Sequence, residues 1–161
     1  MLTVSILTIS DKGARGQRYD ESGQIIRDIF SDMGSDIAHY EIVPDELDVI
    51  RQKLTDWADS GETDVIISTG GTGLGERDVT PEATLAIVDR TVPGFAEAMR
   101  AMSLSKTPMA MLSRATAGVR GKSLIINLPG SPRAVRECLE VVLPAIPHAV
   151  DIIKGVVTEH S

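Results

Sequence analysis

Between Ser68 and Ala83 the chain reads Ser-Thr-Gly-Gly-Thr-Gly-Leu-Gly-Glu-Arg-Asp-Val-Thr-Pro-Glu-Ala. Glycines 70, 71, 73 and 75 let backbone N–H groups approach a bound anion, because no Cβ stands in the way. Thr69 and Thr72 offer hydroxyl donors, and Arg77 can hold a phosphate in a fork. Asp78, an acceptor among donors, suits a cation such as Mg²⁺ that bridges it to phosphate. Thr80 can cap a helix, Pro81 suits its first position, and Glu82 faces the positive end of its dipole. The stretch reads as a phosphate-binding connection of its own kind. No lysine occurs between Lys53 and Lys106, so there is no Walker loop. Glu76 stands where the dinucleotide fingerprint needs its third glycine.

Chemistry-bearing residues recur wherever a strand pattern ends. Leu2–Ile9 alternates and is β-rich, and Ser10 and Asp11 follow it. Asp36–Val43 forms a second such run, followed by Pro44 and Asp45. Asp64–Ile67 leads into the glycine stretch, and Lys122–Leu128 leads into Pro129-Gly130-Ser131-Pro132, where Ser131 caps a helix that starts at Pro132. In open parallel sheets ligands bind beyond the carboxyl ends of strands. That position makes Ser10, Asp11 and Asp45 ligand contacts, although Asp11 could equally organise its own turn and Asp45 could cap the next helix.

Helical spacing fills the intervals: Ile25 to Met33 up to Gly34, Leu47 to Trp57, Leu85 to Val88 with the helix running on to Asp89, Phe95 to Met102, Val135 to Leu143, and Ile146 to Ile153. The run Met109–Leu112 fits strand or helix, and the tail after Gly155 is expected to fray. Strand and helix alternate without repeat or linker, which predicts one α/β domain over residues 1–161: a three-layer α/β/α sandwich around a mostly parallel sheet. At 161 residues such a domain buries about 70% of its unfolded surface. Only Phe30, Phe95, Trp57, Tyr19 and Tyr40 are aromatic, so aliphatic side chains must fill the core, as they do in parallel sheets.

A net charge of −7 argues against nucleic acid as partner. From Ala98 to Arg136 there is no acidic residue, yet Arg100, Lys106, Arg114, Arg120, Lys122, Arg133 and Arg136 all fall there. This segment could guide an anionic small molecule, or its side chains could point separately into solvent. The lone cysteine, Cys138, lies on an apolar helical stripe and reads as core. With no membrane-length apolar run and no leader pattern, the expectation is a cytoplasmic, soluble protein. His39, His148 and His160 stand apart from any serine or cysteine elbow, and no Cys/His metal cluster occurs. What remains is metal-assisted transfer of a phosphoryl or nucleotidyl group.

Thr69–Gly73, Arg77–Thr84, Pro93-Gly94-Phe95 and Asn127–Pro132 together resemble the molybdenum cofactor biosynthesis domain family, from the first strand to about Gly155. Within it the chain is most similar to the molybdopterin adenylyltransferases. The resemblance implies a nucleotidyltransferase that joins AMP from Mg²⁺-ATP to the terminal phosphate of molybdopterin and releases pyrophosphate. A molybdate-inserting enzyme follows in the pathway, and the resemblance implies a homotrimer. It assigns the catalytic, metal-holding carboxylates to Asp45, in Val43-Pro44-Asp45-Glu46, and Asp78, in Arg77–Pro81. The strand ends, the glycine stretch, the helix starts and the basic segment, taken with these motifs, place the expected nucleotide and pterin contacts at Ser10, Asp11, Thr69, Gly70, Gly71, Thr72, Gly73, Arg77, Thr80, Arg114, Pro129, Gly130 and Ser131. A carrier of the same fold would bind the pterin without releasing pyrophosphate from ATP.

Overall fold

The computed structural model describes residues 1–156. Its strands are β1 (Thr3–Ile9), β2 (Asp36–Val43), β3 (Val65–Thr69), β4 (Arg90–Thr91), β5 (Ala117–Arg120) and β6 (Ser123–Leu128), ordered β2-β1-β3-β6-β5-β4 in one sheet. β2, β1, β3 and β6 run parallel, while β5 pairs antiparallel with β6 and β4 antiparallel with β5. The helices are α1 (Asp11–Ala14), α2 (Glu21–Asp32), α3 (Leu47–Asp59), α4 (Thr80–Ile87), α5 (Pro93–Leu104), α6 (Pro132–Val142) and α7 (Ile146–Ile153). Short 3₁₀ turns cover Pro108–Leu112 and Leu143–Ala145. None of these helices is long and apolar enough to cross a membrane.

The strands alternate between two cores because successive side chains leave opposite faces of a sheet. Val65 and Ile67 meet Ile26 and Phe30 of α2 and Leu139 of α6 on one face; Ile66 and Ile125 meet Ile50 and Leu54 of α3 and Ala83 of α4 on the other. These are the expected three layers. Cys138 is buried in the first core, and burial pushes its thiol pKa up. His39 is stacked on Trp57 with ring centroids 5.2 Å apart. His160 and the tail beyond Val156 lie outside the described residues.

The chain crosses from β1 to β2 on one side and from β2 to β3 on the other, so the strand order reverses between β1 and β3. A crevice opens at such a reversal, beyond the carboxyl ends of the two strands. Ile9-Ser10 and Thr69-Gly70 flank it.

Two expectations are corrected. The helix after the glycine stretch ends at Ile87, short of Asp89, and Val88 and Asp89 lead the chain into β4. The basic segment also does not converge as a whole. Arg120 and Lys122 flank the β5–β6 turn, where Arg120 pairs with Asp59 at the end of α3 and Lys122 with the Ile153 carbonyl. That turn precedes β6, so it lies at the amino end of the parallel strands, away from the crevice.

Candidate functional site

The glycine turn is fixed by packing before any ligand is considered. Thr69 Oγ1 donates to the Pro129 carbonyl at 2.6 Å, and Gly70 N–H donates to the Leu128 carbonyl at 3.2 Å, which ties the ends of β3 and β6 together. A Cβ at residue 70 would strike the Ile9 carbonyl, so β1 also abuts this turn. Thr80 is the first residue of α4, not its cap: Val79 holds that position, and the Thr80 hydroxyl instead donates to the Gly70 carbonyl at 2.9 Å. Thr80 N–H donates to the Gly71 carbonyl at 3.1 Å. At Gly71, with φ +69°, a Cβ would overlap the Thr80 hydroxyl and come within 3.2 Å of Asp45 Oδ1. Glycine is required there by both conformation and space.

Asp45 is likewise not a helix cap. α3 begins at Leu47, with Glu46 in the cap position and making no side-chain cap bond. The Asp45 carboxylate turns across the crevice, where Oδ2 accepts from Asp11 N–H at 2.9 Å. Asp45 N–H in turn donates to Asp11 Oδ1 at 2.9 Å. Arg77 closes the arrangement, its Nε and Nη2 reaching Asp11 at 2.7 and 3.0 Å. The Arg77 fork is the largest influence holding the Asp11 carboxyl at a pKa of about 2, helped by the Asp45 amide. Burial, with the neighbouring Asp11 and Asp78 charges, pushes Asp45 the other way, above its ordinary value.

Asp78 faces the same turn. Its Oδ2 accepts from Gly75 N–H at 2.9 Å and lies where a Cβ on Gly73 or Gly75 would meet it. Among the described residues, Oδ1 of Asp45 and Oδ1 of Asp78 accept no hydrogen bond, and no group of three or more His, Cys, Asp or Glu could hold a metal unaided. Two carboxylates with spare oxygens beside one glycine turn are a donor set that fits a divalent cation such as Mg²⁺.

The crevice is a cavity of about 610 Å³ lined by Ser10, Asp45, Thr69, Gly70, Gly71, Asp78, Gly130 and Ser131 among the expected residues. Asp11, Thr72, Gly73, Arg77, Thr80 and Arg114 build its frame. Ser10 caps α1, accepting from Gly13 N–H at 3.0 Å, and Ser131 caps α6, accepting from Ala134 N–H at 3.2 Å. Sequence reasoning missed Thr8, Arg18, Tyr19, Asp20 and Ser22, which also line it. Asp20 caps α2 through Gly23 N–H and accepts from the Thr8 and Tyr40 hydroxyls. The cap pattern Asp20-Glu21-Ser22-Gly23 was the available signal.

Across the Pro129–Ser131 turn lies a second cavity of about 330 Å³, between α5 and α6, sharing Ser131 with the first. Its walls are mostly apolar, from Ala96, Met99, Ala110 and Cys138. Arg100, Lys106 and Arg133 also line it, and Glu137 pairs with the last two at 3.3 and 2.9 Å. A polar crevice and an apolar pocket thus meet at one serine.

Residues 5–148 match the family described as "probable molybdopterin binding domain". A protein of Helicobacter pylori (strain J99) named molybdopterin adenylyltransferase is 47% identical over 154 residues, covering 94% of this chain and 88% of its own length. One of the same name from Escherichia coli (strain K12) is 34% identical over 168 residues, covering 96% and 86%. The crystal structure of the molybdopterin biosynthesis enzyme MoaB from Thermus thermophilus superposes with a TM-score of 0.90 at 54% identity, covering 96% of this chain and 98% of that one.

Proposed function

This chain belongs to the molybdopterin-binding domain family, and we propose that it transfers AMP from ATP to the terminal phosphate of molybdopterin, releasing pyrophosphate, in molybdenum cofactor biosynthesis. One observation carries the reading. Asp45 and Asp78, from two different connections, face the same glycine turn at the sheet's reversal point.

The residues divide the work by chemistry. The Gly70-Gly71 turn receives the triphosphate, since both residues line the crevice beside the two carboxylates. Mg²⁺, when bound, offsets charge on the phosphates, and Asp45 and Asp78 are the residues that would hold it. The apolar pocket suits the flat pterin ring, with Arg100, Lys106 and Arg133 attracting its anionic end. Ser131, common to both cavities, lies where the acceptor phosphate must meet the α-phosphorus. There a pterin phosphate oxygen forms the new P–O bond as the bond to pyrophosphate breaks. Holding both phosphates at this junction supplies the orientation that otherwise costs entropy.

The substrates are molybdopterin and ATP, a molybdate-inserting enzyme takes the product, and an ATP-consuming step belongs in the cytoplasm. For the homotrimer implied by resemblance, the exposed Leu104, Met109, Met111 and Leu112 offer apolar contact area. The test is pyrophosphate release from Mg²⁺-ATP with and without molybdopterin. Release should require the pterin and fall about 10²-fold in Asp45→Asn and Asp78→Asn, the scale of losing one preorganised electrostatic group. Pterin-independent release, or variants as active as wild type, would refute it.

A further inference from the structure

Arg114 resembles a ligand contact in sequence, yet its backbone N–H and each of its three guanidinium nitrogens are bonded within the protein. Its backbone N–H donates to the Thr72 carbonyl at 2.8 Å. Its Nε donates to the Gly73 carbonyl at 2.8 Å, and Nη2 donates to the Asp78 carbonyl at 2.6 Å. Nη1 pairs with Glu82 in the first turn of α4. Gly73 and Asp78 bracket the turn that aims Asp78, and that turn closes on itself through Asp78 N–H to the Gly75 carbonyl and Gly75 N–H to Asp78 Oδ2. One guanidinium therefore spans the turn from end to end and anchors it to α4.

The neighbours of Arg114 face the other way. Ser113 and Ala115 line the apolar pocket, and both their carbonyls accept from Arg100 Nη1, at 3.2 and 2.9 Å. Arg114 thus stands in the partition between the two cavities, its backbone fixed on one side and its fork gripping the loop on the other.

We propose that Arg114 is a positioning residue: it holds the Thr72–Asp78 turn, and with it the Asp78 carboxylate, in reacting geometry, and it does not bind the pterin phosphate. A lysine cannot replace it. An ammonium reaches one carbonyl as a point charge, whereas the planar fork meets two carbonyls and a carboxylate together.

The proposal rests on the adenylyl-transfer reading, and the experiment separates the two. Steady-state pyrophosphate release is measured for wild type, Arg114→Lys and Arg114→Ala, below the melting temperature of each variant. Displacing Asp78 by about an ångström should lower kcat about 10²-fold in Arg114→Lys while the molybdopterin KM stays within about threefold. Added guanidinium should restore part of the Arg114→Ala rate, and ammonium should not. A molybdopterin KM raised tenfold or more with kcat retained, or an unchanged kcat per folded molecule, overturns the proposal. If wild type itself releases no pyrophosphate, the adenylyl-transfer reading fails and amide exchange decides for Arg114. Amides 72–78 exchanging faster in Arg114→Lys supports the positioning role, and unchanged exchange refutes it.

Discussion

Replacing Gly71 by alanine adds one methyl group and meets costs that the structure lets one separate. The residue has φ +69°, and an L side chain in that left-handed region costs about 1 kcal/mol. The new Cβ would overlap the Thr80 hydroxyl, whose 2.9 Å bond to the Gly70 carbonyl is buried; disturbing it costs about 1–3 kcal/mol more. The sum, about 2–4 kcal/mol, lowers the melting temperature of a domain this size by roughly 5–15 °C. The same Cβ stands 3.2 Å from Asp45 Oδ1, so the carboxylate must move by a few tenths of an ångström, enough to reduce turnover about tenfold. Gly34→Ala is the control. Gly34 has φ +83°, but nothing lies within 4 Å of its Cβ position. It should lose only the conformational contribution, about 1 kcal/mol, and keep wild-type turnover. Thermal melts followed by circular dichroism, with pyrophosphate release measured well below each midpoint, give both quantities. If Gly71→Ala melts like Gly34→Ala and turns over like wild type, the packing of Thr80 and Asp45 around the turn is wrongly understood.

Two further outcomes follow from the same contacts. The Asp11 carboxyl has a folded pKa of about 2 against an ordinary 3.8, so the unfolded chain binds more protons between those values and stability falls as pH drops through them. Asp11→Asn should flatten that fall; urea midpoints near pH 4 and pH 2 that shift as much in the variant as in wild type would refute the Arg77–Asp11 pairing. Asn127 is fully buried, donating to Ser68 and Thr84 at 3.0 Å each and accepting from Thr116 N–H at 3.2 Å. Asn127→Ala should cost about 2–3 kcal/mol, read as a lower urea midpoint at unchanged slope, and a midpoint equal to wild type would show the network to be dispensable.

Local grammar carried much of the fold. Asp36–Val43 is the observed β2, and Ser131 with Pro132 opens α6 as their residue types demand. The parts that local grammar misses depend on distant partners. Asp45 sits where a cap belongs, yet an amide 34 residues earlier claims its carboxylate, and Glu46 takes the cap position. Thr80 is drawn off capping by the Gly70 carbonyl. β4 has two residues and β5 four, too few to show a period; without them, the β5–β6 turn that carries Arg120 and Lys122 away from the crevice is invisible. The Met109–Leu112 run resolved into a 3₁₀ turn, a state that neither helical nor strand periodicity describes. The crevice itself was legible from strand ends, because a parallel sheet gathers those ends whatever the intervening helices contain.

The most direct measurement follows the transferred group. ATP labelled in its α-phosphate is incubated with Mg²⁺, molybdopterin and the protein, and the products are separated. The account predicts label in an adenylylated pterin, in equal amount to the pyrophosphate released, with none formed by folded Asp45→Asn. Label that stays in ATP while the protein binds the pterin would contradict it.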